Sequence, residues 1–171
     1  SAFTEGLQLF SSFAILLNFP RFGKMKGMGQ IVTYSIRDES LHVEAMTKLF
    51  REFIQENLEI WTDDFKKELY QICREMVKLE DKFLDLVFDM GDIQGLTKDD
   101  MYKYNRYIAD RRLLQLGLKP NYEQSQNPLP WLDEVMGVEH QNFFEGRATT
   151  YMKAGLRGRH TNITFADLSE E

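Results

Sequence analysis

Glu39-x-x-His42 sets a carboxylate and an imidazole three residues apart. On a helix the two side chains share a face and reach a single cation. Carboxylate oxygens suit hard divalent ions, and an imidazole moves the preference toward iron, manganese, cobalt or zinc. Alone the pair decides little, because three histidines among many glutamates meet at this spacing readily by chance. His42 reads equally as a hydrogen-bonded core histidine. Glu5 shifts the weighing. It falls on the same stripe as Leu9, Phe13 and Leu16, and a carboxylate on an apolar face is costly to bury without a partner.

These residues need helices to carry them. Apolar residues recur at helical spacing between Gly29 and Asp92 with little alternation of period two, which predicts an all-α protein. Helices are expected over about 2–19, 26–57, 63–90 and 98–117, with a short one after Pro130 and another near 141–152. Asn18-Phe19-Pro20 should end the first, since a residue before proline avoids the helical region. Thr62 with Asp63, and Thr97 with Asp99 and Asp100, suit helix starts. Helix 63–90 shows an unbroken seam of Phe65, Leu69, Ile72, Met76, Leu79, Phe83, Leu86 and Met90, expected to be pure core. The equivalent stripe of helix 26–57 runs Ile31, Ser35, Asp38 and Glu39, His42, Met46, Leu49, Phe53. Three ionisable residues interrupt its middle, and something must neutralise them. In di-iron and di-manganese bundles two helices each give one Glu and two others each give Glu-x-x-His. This chain offers one helix of each kind.

Composition narrows the function. With 171 residues and 43% hydrophobic content the chain is long enough for one domain with its own core. A net charge of -6 and a pI near 5.2 argue against nucleic acid or an anionic membrane surface as a partner. The apolar run Phe13 to Leu17 is far too short to span a bilayer, so a soluble protein is expected. Cys73, the single cysteine, excludes an internal disulfide or thiolate cluster; it fits a reducing, cytoplasmic compartment and reads as structural.

Five blocks in order resemble a known family, the small, radical-generating subunit of class I ribonucleotide reductase. They are Phe3-Thr4-Glu5-Gly6 with Phe10-Ser11-Ser12-Phe13, then Ser35-Ile36-Arg37-Asp38-Glu39-Ser40-Leu41-His42, Tyr107-Ile108-Ala109-Asp110-Arg111, Asn127-Pro128-Leu129-Pro130-Trp131, and Asn142-Phe143-Phe144-Glu145-Gly146-Arg147. The resemblance implies a ferritin-like helical bundle in which Glu5, Glu39 and His42 are ligands of a dinuclear centre, Fe/Fe, Mn/Fe or Mn/Mn. It makes Asp38 a link from the metal site toward a tryptophan on the radical path, the alternative being an ion pair with Arg37. Tyr151 becomes the tail tyrosine that relays the radical to the large subunit, with Glu145 near that route; by itself Tyr151 is also compatible with an ordinary exposed aromatic. Leu9 and Phe13 would help to build a dry pocket beside the metals. Tyr34, Tyr102, Tyr104 and Tyr107 are expected at helix surfaces or the subunit interface, with small-subunit dimerisation implied.

The resemblance covers the C-terminal half of the family's subunit. The other half carries the remaining ligands, the usual radical tyrosine and the tryptophan. The expectation is therefore a split subunit, residues 1–151 forming a helical half completed by a separate N-terminal chain. Ser1 fits initiator-Met removal or a former intein junction alike, and a proteolytic or expression fragment is the plainer alternative. Residues 152–171 are expected to form a flexible tail that docks on the large subunit, with Phe165 and Leu168 as candidate anchors. Two rivals stay open: a helical scaffold that binds no metal, and a related di-metal oxidase.

Overall fold

The computed structural model describes residues 2–135. The expected helix near 141–152, Glu145, Tyr151 and the tail all lie outside the described residues. Four α-helices organise the rest: α1 (Leu9–Arg21), α2 (Lys26–Glu56), α3 (Asp63–Val87) and α4 (Lys98–Gln115). A π-helical turn, Thr4–Gln8, leads into α1, and a 3-10 turn, Leu58–Ile60, joins α2 to α3. Residues 130–135 are helical as well, after Pro130 as expected. Among the described residues there is no strand, only an isolated bridge between Ile93 and Leu96. The fold is all-α. No helix there is long and apolar enough to cross a membrane.

Local chemistry sets the helix starts. The Phe65 N–H donates to Thr62 Oγ1 at 3.2 Å and caps α3. At α4 the cap is reciprocal: the Asp100 N–H donates to Thr97 Oγ1 at 3.1 Å, and the Thr97 N–H donates to Asp100 Oδ2 at 3.3 Å. The end of α1 departs from expectation, because the helix continues to Arg21 with Pro20 inside its last turn. Tertiary contacts override the local preference. Asn18 Nδ2 donates to the Gln94 carbonyl at 2.9 Å, and Arg21 Nη1 donates to Asn18 Oδ1 at 2.8 Å. The Pro20 ring lies on Gly29 of α2, where a Cβ would stand 2.4 Å from Pro20 Cγ.

The core lies between α1, α3 and α4, with the inner face of α2 closing it, and includes Leu7, Phe10, Val77, Leu84, Tyr104 and Leu113. Two expectations about it need correction. The seam of α3 is only partly its core face: Leu69, Ile72 and Met76 pack against the core, whereas Leu79, Phe83 and Leu86 further along, and Met90 just beyond the helix, are exposed, and Cys73, Val77, Glu80 and Leu84 are buried. The apolar seam leaves the core after Met76, and the second half of the helix carries it on an open flank. Tyr104 and Tyr107 are buried in the core and do not lie at the surface, because α4 inserts that face between its neighbours. Cys73 is fully buried, and burial pushes its thiol up to about 12, which keeps it protonated and unreactive.

Candidate metal centre

Two elements converge on one point. Glu5 sits in the π turn, and Glu39 and His42 sit on α2. The wider winding of a π turn re-aims a side chain relative to an α-helix, and such turns concentrate at functional sites. Gly6 eases the approach: a Cβ there would stand 3.2 Å from Val43 Cγ2, so its absence lets the π turn and α2 meet closely beside His42. The position of Gly6 directly after Glu5 was the visible signal for this contact. Its meaning depended on the π turn.

His42 Nδ1 lies 3.0 Å from Glu5 Oε2 and 3.8 Å from Glu39 Oε2. One ligand atom from each of the three residues falls within 4.8 Å of the others. The close approach of Nδ1 to Oε2 is not aligned as a hydrogen bond, and Glu5 Oε2 is buried with no donor. An orphaned buried carboxylate oxygen beside an imidazole nitrogen is poor hydrogen bonding and good ligation. Two carboxylates with one imidazole form the donor set that first-row divalent metals accept. The residues fit a metal ion.

The site is open on one side. The side chains of Glu5 and Glu39 are about a third exposed, at 32% and 31%, and that of His42 at 49%. Leu9 is exposed, and Phe13 packs edge-on against Phe10 with ring centroids 5.9 Å apart. The described residues thus leave the expected dry pocket uncovered. Along α2 the stripe that holds Glu39 and His42 is exposed at Ile31, Met46, Leu49 and Phe53, while the flank about a quarter-turn round buries Val32, Ile36, Val43 and Thr47. The helix is partnered along one flank and open along the adjoining one.

Asp38 is exposed on α2, and its Oδ1 accepts from Arg37 Nε at 3.3 Å and Nη2 at 3.2 Å. The contact is the ion pair considered above as the alternative for this residue. Sequence reading missed the buried polar residues of α3 and α4. Glu80 is buried in the core face of α3, and desolvation pushes its carboxyl up to about 7. Asp110 is buried and accepts the Asn121 and Tyr122 N–H groups on Oδ1, at 2.7 and 2.9 Å, and the Gln124 N–H on Oδ2 at 2.9 Å. That carboxylate ties the loop after α4 to the bundle.

The family model of the ribonucleotide reductase small chain matches residues 1–128. The chain belongs to this family. A relative from Invertebrate iridescent virus 3, described as "Probable ribonucleoside-diphosphate reductase small subunit", is 47% identical over 160 residues, covering 92% of this chain and 43% of the relative. The ribonucleoside-diphosphate reductase subunit beta of Chlamydia pneumoniae is 39% identical over 152 residues, covering 88% and 43% respectively. Among solved structures, the ribonucleotide reductase R2 subunit from Clostridium botulinum superposes with a TM-score of 0.75 at 30% identity, covering 78% of this chain and 42% of that one. The architecture is thus that of the ferritin-like small-subunit bundle. The chain spans less than half the length of these relatives.

Proposed function

We propose that this chain supplies three ligands, Glu5, Glu39 and His42, to a dinuclear metal centre of a ribonucleoside-diphosphate reductase small subunit. The observation that carries this reading is the orphaned Glu5 Oε2, buried 3.0 Å from His42 Nδ1 at the meeting of the π turn and α2. Iron or manganese in the site would supply the one-electron oxidising power on which deoxyribonucleotide synthesis by the large subunit draws. The chain's own residues do the rest. Glu5 and Glu39 provide anionic oxygens, His42 provides a neutral nitrogen, and the open stripe of α2 receives the helices that exclude water from the site. Those helices and the other ligands come from the N-terminal part of the small-subunit fold.

Asp38 exchanges its exposed pairing with Arg37 for a partner in the completed subunit and joins the radical route, which continues through Glu145 and Tyr151 to the large subunit. In this reading residues 1–151 are the bundle half and 152–171 the docking tail, in a dimeric, cytoplasmic protein. Metal uptake tests it. The chain assembled with its N-terminal complement should bind Fe2+ or Mn2+, and Glu39→Ala with His42→Ala should lower the metal count. An assembled subunit that takes up no metal would leave the helical-scaffold reading. Asp38→Asn and Tyr151→Phe should retain wild-type metal content while reductase activity with the large subunit is lost. Full activity of both variants would remove the relay assignment.

A further inference from the structure

We propose that Arg112 is a positioning residue for the metal centre: it grips the Gly6 carbonyl and thereby holds the π turn that aims Glu5 at His42. The inference rests on reading Glu5 as a ligand. Arg112 lies on α4, away from both ligand-bearing segments in sequence, and it is buried. Its Nε donates to the Gly6 carbonyl at 2.6 Å, its Nη1 donates to Gln115 Oε1 at 2.9 Å, and its guanidinium lies 4.9 Å from the centroid of the Phe10 ring. No carboxylate among the described residues forms an ion pair with it. Burial pulls this guanidinium down to about 10, so it remains charged at neutral pH. A buried cation that meets, among the described residues, neutral acceptors and a ring face is costly for the fold. A role in packing alone is met more cheaply by an apolar side chain of similar volume.

The geometry shows what the charge is used for. In an α-helix the carbonyl of residue 6 would accept the N–H of residue 10; a side-chain donor inserted at that carbonyl competes with this bond and favours a locally distorted winding. The π turn is found at that point, Thr4–Gln8, with Gly6 at its centre. Glycine is required there, because a Cβ would stand 2.7 Å from Arg112 Nε and displace the guanidinium. Ligand, glycine, π turn and arginine form one device. The neighbour of the metal ligand is held by its main chain, and the ligand carboxylate stays free for the ion. Partners that orient a ligand in this way commonly contribute tenfold or more to metal affinity.

The test is Mn2+ titration, read by electron paramagnetic resonance, of the small subunit assembled with its N-terminal complement. Arg112→Met is compared with Leu113→Ala, which opens a cavity at the neighbouring, fully buried position and keeps the Arg112 side chain that bonds the Gly6 carbonyl. The expected result is a loss of about tenfold or more in Mn2+ affinity and an altered line shape for Arg112→Met, with both preserved in Leu113→Ala. Wild-type affinity and line shape in Arg112→Met would overturn the proposal, and so would an equal loss in Leu113→Ala, which would mark a general loosening. If Arg112→Met does not fold, Arg112→Lys, with one shorter donor in place of the fork, is read against the same control and by the same outcomes. A wild-type subunit that takes up no Mn2+ would overturn the ligand assignment itself, and this proposal with it.

Discussion

Glu80 and His42 are both ionisable residues on long helices, yet their surroundings give them opposite signatures. Glu80 is buried, its Oε1 has no hydrogen-bond donor, and desolvation raises its folded pKa from the usual carboxyl value to about 7. The native state therefore keeps a proton that the unfolded chain has already released. Stability should fall as pH rises from about 4.5 to about 7 and level off above that, by on the order of 3 kcal/mol for this group. Glu80→Gln removes the ionisation, so denaturant melts should show it more stable than wild type at pH 8 and nearly equal to it near pH 4. A gap independent of pH would contradict the assignment. His42 and Glu39 are instead half-exposed and partly exposed on α2. Replacing either by alanine in the metal-free chain should change stability by no more than about 0.5 kcal/mol, as at ordinary surface positions. A core histidine would cost several times more, so thermal melts of His42→Ala separate the ligand reading from the packing reading.

At the scale of elements, α2 offers an internal comparison between two glycines. Gly29 faces the Pro20 ring at a distance no Cβ tolerates, whereas Gly27 has nothing near its side-chain position. Gly29→Ala should destabilise by about 1–3 kcal/mol, through overpacking against a rigid ring. Gly27→Ala should stabilise by up to about 1 kcal/mol, through helix propensity alone. Equal effects in thermal denaturation would mean that the α1–α2 contact is not as close as described. The same helices show which features were legible beforehand. Caps at Thr62 and Thr97, and the apolar periods, are local, so the bounds of α2, α3 and α4 could be read within a few residues. The pairing of Glu5 with Glu39 and His42 was legible too, because type, spacing and family resemblance agreed. The continuation of α1 past Pro20, the π turn, the hold of Arg112 on Gly6 and the burial of Glu80 were not. Each depends on a neighbour distant in sequence, and periodicity carries no such information. The seam of α3 misled in part for a related reason: its apolar period runs on along the helix, and periodicity does not say that the seam leaves this chain's own core after Met76.

At the scale of the molecule, the open apolar stripe of α2 and the exposed Leu79, Phe83 and Leu86 of α3 belong to helices already packed on their other sides. Exposed apolar area of this kind calls for a partner. Glu39 and His42, two of the three proposed ligands, lie on the open side of α2, so covering that stripe and closing the proposed site would be one event. Metal binding should accordingly be weak or absent in the 171-residue chain alone and appear on assembly. The most direct measurement is native mass spectrometry of this chain mixed with the N-terminal part of the small-subunit fold, in the presence of Fe2+ or Mn2+. A complex carrying two metal ions per pair of halves is expected, with loss of metal in Glu39→Ala and His42→Ala. A stable complex that remains metal-free, or one whose metal content is unchanged by those substitutions, would contradict it.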